Sequence, residues 1–445
     1  MINKKLSTTQ IIMLSFLALI LLGSLLLALP ISAADGKAVP YLDALFTATT
    51  ATCVTGLVTL PTFSTWSVFG QIIILILIQI GGLGVVTIFS AMMILLQKRM
   101  GIGSRLLVQD AFNLNSLYGI VRFVKRVILG TFLVEGVGAL LYLPVFVPEF
   151  GLKGIWISIF TAISAFCNAG IDIIGDSSLC NYATNPMVNL VTGLLIILSG
   201  LGYIVWWDVL QVCRKKRHFR NLTLHSKIAI TVTFILVFGG GLLILLFEYA
   251  NPLTIGGLSI WDKLQVSLFQ SVTTRTAGFA TVPQENLTNA SSLLCLLLMF
   301  IGGSPVGTAG GIKTVTIAVL AVSALATIQN KNEVTLFHRN ISKHAVNKAV
   351  AVAAMSFGIL FISTLLLCAV TNADALDVLY ETVSATATVG LTRNLTSYLN
   401  NAGKCIIIGT MYLGRVGPIS LALALNSSRK NQNIIKNPTE EISVG

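Results

Sequence analysis

Charge is what this chain has least of. Only 10% of its 445 residues are Asp, Glu, Lys or Arg, while 55% are hydrophobic; an ordinary soluble domain carries roughly 25% charged residues. With a mean hydropathy of +0.86, a soluble globule could not hide that much apolar surface, so the composition excludes a cytosolic enzyme and a disordered chain alike. The 17 acids are scarcer than the 29 bases, for a net charge of +12. Those bases are too dispersed for a nucleic-acid surface, which needs clustered cations. The cysteines (Cys53, Cys167, Cys180, Cys213, Cys295, Cys368 and Cys405) form no CxxC pair and no His-linked metal spacing, and read as small apolar core residues. HExxH and GxSxG are missing, and Glu135 is the one clear acid inside an apolar run. An intramembrane enzyme would need a nucleophile–base or paired-carboxylate constellation. What remains is an all-α integral membrane protein.

Long apolar runs are what the sequence has instead. Eight, at about 8–30, 70–97, 127–148, 187–213, 228–250, 291–328, 345–370 and 403–425, reach the roughly 20 residues that a transmembrane helix needs. Between the members of each pair lies a shorter semi-polar stretch, at about 41–60, 154–172, 260–280 and 374–392. These are too short to cross and too apolar for ordinary loops, which suggests re-entrant half-helices. Lys4, Lys5 and Ser32-Ala33-Ala34 flank the first run as in a secretory signal, but the run exceeds the usual 7–15 residues of such a signal and reads as a retained span.

With the amino terminus inside, inner segments hold 21 of the 29 Lys and Arg, and outer segments hold only Lys37, Lys153, Lys263, Arg393 and Lys404. The positive-inside rule requires this bias, so both termini are expected in the cytoplasm. Arg214-Lys215-Lys216-Arg217 reads first as a topology signal beside anionic lipid, with a partner-binding patch as the other reading.

The semi-polar stretches align. They read LFTATTATCVTGL (45–57), IFTAISAFCNAGI (159–171), LFQSVTTRTAGF (268–279) and LYETVSATATVGL (379–391). Each opens with an aliphatic–aromatic pair and ends in glycine before a large apolar residue. Those glycines, Gly56, Gly170, Gly278 and Gly390, are spaced by 114, 108 and 112 residues, and the third copy is one residue shorter. A fixed period outranks any local motif. It divides the chain into parallel repeats at 1–100, 101–220, 221–335 and 336–425, followed by a cytoplasmic tail, 426–445. Asp43, Asp262 and Asp377 fall near the starts of three half-helices, where acids suit capping and the macrodipole.

Four re-entrant loops around one axis would line a pore in pseudo-four-fold symmetry. Glycine leaves room for carbonyls to face an ion, and rings of carbonyls replace the hydration shell of a monovalent cation. The expected selectivity filter is Cys53-Val54-Thr55-Gly56, Cys167-Asn168-Ala169-Gly170, Arg275-Thr276-Ala277-Gly278 and Ala387-Thr388-Val389-Gly390. It has no carboxylate ring to suit divalent ions, so a K⁺-like pathway is the physical reading. The Arg275 side chain is expected behind its loop, since a cation facing the ion would block the path.

With these loops, MFIGGSPVGTAGGIKT (299–314) and MYLGRVGPIS (411–420), the chain resembles the Ktr/Trk/HKT superfamily of potassium transporters, most closely the membrane subunit of bacterial Ktr systems. The resemblance implies K⁺ uptake, often stimulated by Na⁺, with no cofactor in the chain itself. It also implies a membrane homodimer docked on a cytosolic ring of nucleotide-binding (RCK-type) regulatory subunits. One glycine per filter loop favours K⁺ in that family; Cys53 and Cys167 are less usual there.

The run 291–328 would make a helix of about 57 Å, nearly twice the hydrocarbon thickness, so it must break. Gly302, Gly303, Ser304, Pro305, Gly307, Gly310 and Gly311 mark where, since such a stretch cannot hold a helix. A phosphate loop is excluded because Ile312 stands where glycine is required before Lys313. The resemblance implies, and the length supports, a flexible intramembrane loop below the filter that acts as a gate; a simple packing kink is the other reading. Lys313 and Arg415 lie inside spans, where cations are costly and functional by default. Arg415 is expected to project into the pore below the filter and raise the barrier to flow; pairing with a backbone carbonyl or with Glu135 is the structural alternative. A coupled carrier of H⁺ or Na⁺ symport type also uses discontinuous helices, but usually two repeats rather than four. Replacing Gly56, Gly170, Gly278 or Gly390 by Ser should lower the K⁺/Na⁺ preference of uptake measured with both ions; an unchanged preference contradicts the filter.

Overall fold

The computed structural model describes residues 7–96, 101–111, 119–216, 218–331 and 333–417. Lys4, Lys5, Lys98, Arg99, Arg217, the end of the last apolar run and the tail 426–445 lie outside the described residues.

In chain order, α1 (Thr8–Leu27), the half-length α2 (Tyr41–Cys53), a single turn α3 (Thr62–Thr65), α4 (Val68–Leu83) and α5 (Val85–Leu95) come first. Next, α6 (Ile102–Ala111) leads to α7 (Ile120–Phe150), α8 (Lys153–Cys167), α9 (Pro186–Leu201) and α10 (Tyr203–Arg214). A π turn over Ile235–Gly239 fuses α11 (Leu224–Phe234) to α12 (Gly240–Glu248). Then follow α13 (Ile260–Thr273), α14 (Asn289–Phe300) and α15 (Thr314–Ile328). A small hairpin, β1 (Thr335–Leu336) with β2 (Arg339–Asn340), precedes α16 (Lys343–Val370), α17 (Ala375–Ala387) and α18 (Asn401–Val416).

By length and composition α1, α7, the fused α11–α12 and α16 cross a bilayer unbroken. They expose apolar side chains such as Leu22, Leu133 and Phe361, as lipid requires. The semi-polar stretches form α2, α8, α13 and α17, of 13, 15, 14 and 13 residues. These reach only about 20 Å, too little to span. The aromatic residue that opens each stretch, Phe46, Phe160, Phe269 or Tyr380, is buried, so the half-helices pack inside the bundle.

The second members of the pairs depart from the sequence reading. One break was expected, in 291–328, and a non-helical segment does separate α14 from α15. The runs 70–97 and 187–213 also break, with bends of 93° between α4 and α5 and 95° between α9 and α10. The hinges, Gly84 (φ 85°, ψ 134°) and Gly202 (φ 87°, ψ 147°), occupy a conformation essentially reserved for glycine, as does Gly417 at the end of α18 (φ 87°, ψ 139°). Hydropathy conceals such bends because apolar residues continue on both sides. A second correction concerns Cys213, Cys368 and Cys405, which are exposed rather than in the core; on a spanning helix an exposed thiol meets hydrocarbon.

Asp43 and Asp377 lie in the first turns of α2 and α17, yet the capping positions belong to Pro40 and Asp374. Their carboxylates instead pair with Lys404 at 2.5 Å and Arg393 at 2.7 Å. The first pair is placed with purpose. The first and last described helices, α1–α2 and α18, come together there. At that seam α18 packs against α1 and α2, Lys404 reaches Asp43, and the Tyr412 hydroxyl donates to the Met13 carbonyl at 2.9 Å. Lys404→Glu is therefore expected to lower the melting temperature of the purified protein by several degrees, for an uncompensated charge costing about 3 kcal/mol. Exchanging the pair (Asp43→Lys with Lys404→Asp) should regain most of it by scanning fluorimetry.

Candidate ion pathway

Each half-helix ends in the same backbone figure. The residue two before the loop glycine is left-handed in all four loops: Val54 (φ 56°), Asn168 (φ 58°), Thr276 (φ 70°) and Thr388 (φ 52°). The glycines follow at φ 100°, 63°, 83° and 97°. Left-handed Val and Thr are uncommon because the branched side chain crowds the backbone, and such strain persists only where the surroundings over-determine it.

A hydroxyl from the half-helix supplies that determination. In the first loop the Thr50 carbonyl accepts the Thr55 N–H at 2.9 Å, and its Oγ1 accepts the Gly56 N–H at 3.0 Å. Ser384 does the same for Val389 and Gly390, at 2.8 and 3.0 Å. Ser164 accepts from Ala169 N–H at 2.8 Å and donates its hydroxyl to the Ile171 carbonyl at 2.5 Å. In the shorter third loop Thr273 accepts from Ala277 N–H at 3.0 Å and donates to Phe279 at 2.6 Å. These four residues were missed at the sequence level, though a hydroxyl recurs six positions before the glycine, or five in the shorter copy.

The loops meet in a ring. A Cβ on Gly56 would stand 2.6 Å from the Ala169 carbonyl oxygen, one on Gly170 2.6 Å from that of Ala277, and one on Gly278 2.5 Å from that of Val389. One on Gly390 would collide with the Thr55 carbonyl oxygen. The order runs from first loop to second, third, fourth and back to the first. Side chains are excluded at every step, and backbone carbonyls are brought to one place. The hydroxyls of Thr55 and Thr388 are buried without a hydrogen-bond partner among the described residues.

The glycine segment between α14 and α15 lies against these loops. Its base is closed by Gly302 N–H to Ile312 O (3.0 Å) and Ile312 N–H to Phe300 O (3.1 Å). Its far part reaches the second and third loops: Asn168 Nδ2 donates to Thr308 Oγ1 (3.1 Å), Thr308 Oγ1 donates to Phe166 O (3.2 Å), and Gly310 N–H donates to Thr276 Oγ1 (3.2 Å). A side chain on Gly310 would strike Thr388. Thr308 is thus a fifth missed residue, inconspicuous among the glycines.

Arg415 clamps this segment. One terminal nitrogen donates to the Thr308 carbonyl at 2.7 Å, the other to Gly81 at 2.5 Å, with Gly82 at 3.4 Å. The last two carbonyls sit at the C-terminal end of α4, where a cation is favoured. Glu135 is not its partner; that carboxylate takes the Gln79 amide at 3.1 and 3.2 Å and the Cys167 thiol at 3.9 Å. Lys313 turns back onto the Ala309 carbonyl at 2.5 Å. Gly307, Gly310, Gly311, Lys313 and Arg415 line a cavity of about 680 Å³. Arg275 lies buried, directed to Thr233 Oγ1 at 3.3 Å and Gly302 O at 3.5 Å.

Four half-helices whose loops meet in a ring, beside a cavity inside a bundle of apolar helices, make a candidate ion pathway through a membrane protein. Residues 5–434 match the family described as TrkH, cation transport protein. The chain is 40% identical over 437 residues to Ktr system potassium uptake protein B of Bacillus subtilis, covering 98% of this chain and 96% of that one. It is 38% identical to the potassium/sodium uptake protein NtpJ of Enterococcus hirae, covering 100% and 98%. Its fold matches the crystal structure of the potassium transporter TrkH from Vibrio parahaemolyticus with a TM-score of 0.75 at 18% identity, over 95% of this chain and 86% of that one. The chain belongs to the TrkH cation-transport family and is not an enzyme.

Removing a brace should loosen one of these loops without touching its glycine. Ser384→Ala leaves the Gly390 N–H unpaired, at a cost of about 1–3 kcal/mol. The variant is expected to keep its fold but lose K⁺/Na⁺ discrimination in competitive uptake, and Ser384→Thr should retain it.

Proposed function

We propose that this chain carries K⁺ into the cell through the ring formed at Gly56, Gly170, Gly278 and Gly390. One observation carries the reading: each glycine faces the carbonyl of the next loop, in cyclic order. Such a ring presents oxygen ligands to a cation stripped of water. Carbonyls of Thr55, Ala169, Ala277 and Val389 are the ligands assigned, with Thr55 and Thr388 hydroxyls available beside them. The names of the two relatives, a potassium uptake protein and a potassium/sodium uptake protein, support K⁺ as cargo; stimulation by Na⁺ is part of the proposal. The outer segments are rich in acids and the inner ones in bases. This pattern supports cytoplasmic termini and an acidic mouth that concentrates cations.

The gate assigned is the segment from Gly302 through Gly303, Ser304, Pro305, Gly307, Gly310 and Gly311 to Lys313, held by Arg415. Its contacts with the second and third filter loops support that role, because moving it must disturb the ring above. A membrane homodimer on a cytosolic nucleotide-binding ring completes the proposal; "Ktr system" in the relative's name supports a multi-component assembly. Expression should restore growth of a K⁺-uptake-deficient bacterium at limiting K⁺, more strongly with Na⁺ added. Arg415→Gln should raise K⁺ flux several-fold in vesicles, since it releases the clamp on Thr308; an unchanged rate in a folded variant contradicts the gate.

A further inference from the structure

At the inner end of α7 and α10 there is a basic pocket that the pathway does not use. Arg126, Trp207, Leu210, Gln211, Arg214 and Lys215 line a cavity of about 410 Å³. None of these is a carboxylate. Asp208, the acid of α10, is engaged elsewhere, accepting the Thr223 N–H at 2.9 Å and its hydroxyl at 2.7 Å. The Arg126 guanidinium is fixed 5.4 Å from the centre of the Trp207 ring, and the Trp207 indole N–H is buried without a partner among the described residues. Because α10 turns 95° from the spanning α9, it runs roughly along the membrane surface, the level at which tryptophan and lysine meet headgroups.

An apolar stripe continues from the pocket. Leu129, Leu133, Val137 and Leu140, each exposed, follow Arg126 on α7 at the 3, 7, 11 and 14 spacing of one helix face, about 20 Å of surface. A soluble anion would use the three cations and leave this stripe uncovered; a phospholipid uses both. The root of α10 meets the glycine segment as well. Tyr203 N–H donates to the Val306 carbonyl at 3.1 Å, Ser304 N–H to Gly200 at 2.8 Å, and the Trp206 ring lies 5.9 Å from Phe166 of the second half-helix.

We infer that this pocket binds the phosphate headgroup of an anionic phospholipid of the inner leaflet, with its acyl chains along the Leu129–Leu140 stripe of α7. Bound lipid holds α10 in the membrane plane and, through the Gly202 bend, steadies the glycine segment. The binding stands alone; its effect on transport rests on the proposed gate.

The test uses the full chain in phosphatidylcholine vesicles with and without phosphatidylglycerol, reading retained lipid by native mass spectrometry and K⁺ flux in parallel. In wild type, phosphatidylglycerol is expected to be retained and to change flux. In Arg126→Gln/Arg214→Gln/Lys215→Gln retention should fall at least about fivefold, the loss that even one such surface cation accounts for. Its flux should match the phosphatidylcholine level, with K⁺/Na⁺ preference unchanged, and Arg126→Lys/Arg214→Lys should keep the lipid. Equal retention by wild type and the triple variant overturns the site. Displacement of the lipid by millimolar inorganic phosphate assigns the pocket to a soluble anion and overturns it too. Retention lost with flux unaffected by phosphatidylglycerol overturns the coupling. A wild type that moves no K⁺ in any vesicle defeats the proposed function, and retention then still decides the lipid site.

Discussion

Backbone without helical hydrogen bonds cannot face hydrocarbon, where each unsatisfied group costs several kcal/mol. A selectivity loop needs such backbone at membrane depth, because its carbonyls must be turned toward an ion instead of a neighbouring N–H. The proposed filter meets both demands by keeping the loops inside the bundle and drawing N–H groups back onto their own half-helices. Thr50, Ser164, Thr273 and Ser384 each accept a loop N–H on the backbone carbonyl; the Thr50 and Ser384 hydroxyls accept a second N–H, while those of Ser164 and Thr273 donate to a loop carbonyl. The left-handed residues Val54, Asn168, Thr276 and Thr388 are the geometric consequence, and the glycines that follow admit the next loop's carbonyl.

The same constraint shapes what lies beneath. The segment between α14 and α15 is also non-helical and also buried, so it is tied to itself, to the filter loops and to the α9 terminus. Arg415 fits this scheme as a donor to carbonyls left over where helices break, at Thr308, Gly81 and Gly82. A guanidinium with five donors is well suited to satisfy several such groups at once. Arg415 also lines the large cavity beside the glycine segment, which is why a barrier role is proposed for it.

Much of this was legible in the residues. Apolar runs and the recurring semi-polar stretches located the spanning helices, the half-helices and the loop glycines, because hydropathy and period survive in composition. The excessive length of 291–328 revealed its break. Gly84 and Gly202 were not legible, since a one-residue hinge changes neither hydropathy nor periodicity, and its φ is a property of the folded chain. The bracing hydroxyls were visible as residues but not as hydrogen-bonding partners of the loops, because Ser and Thr inside a buried helix also serve close packing. Thr308 was hidden for the opposite reason, standing where glycine drew the eye. Whether Arg415 met a carbonyl or Glu135 depended on contacts between distant repeats, which spacing along the chain does not encode.

The central claim is that four loops from distant parts of the chain make one cation site. Anomalous diffraction from crystals grown with Rb⁺ or Tl⁺ in place of K⁺ tests it most directly. Density is expected on the axis, enclosed by the carbonyls of Thr55, Ala169, Ala277 and Val389, and weakened when Na⁺ replaces the heavier ion. Density confined to other parts of the molecule, with none inside that ring, would contradict it.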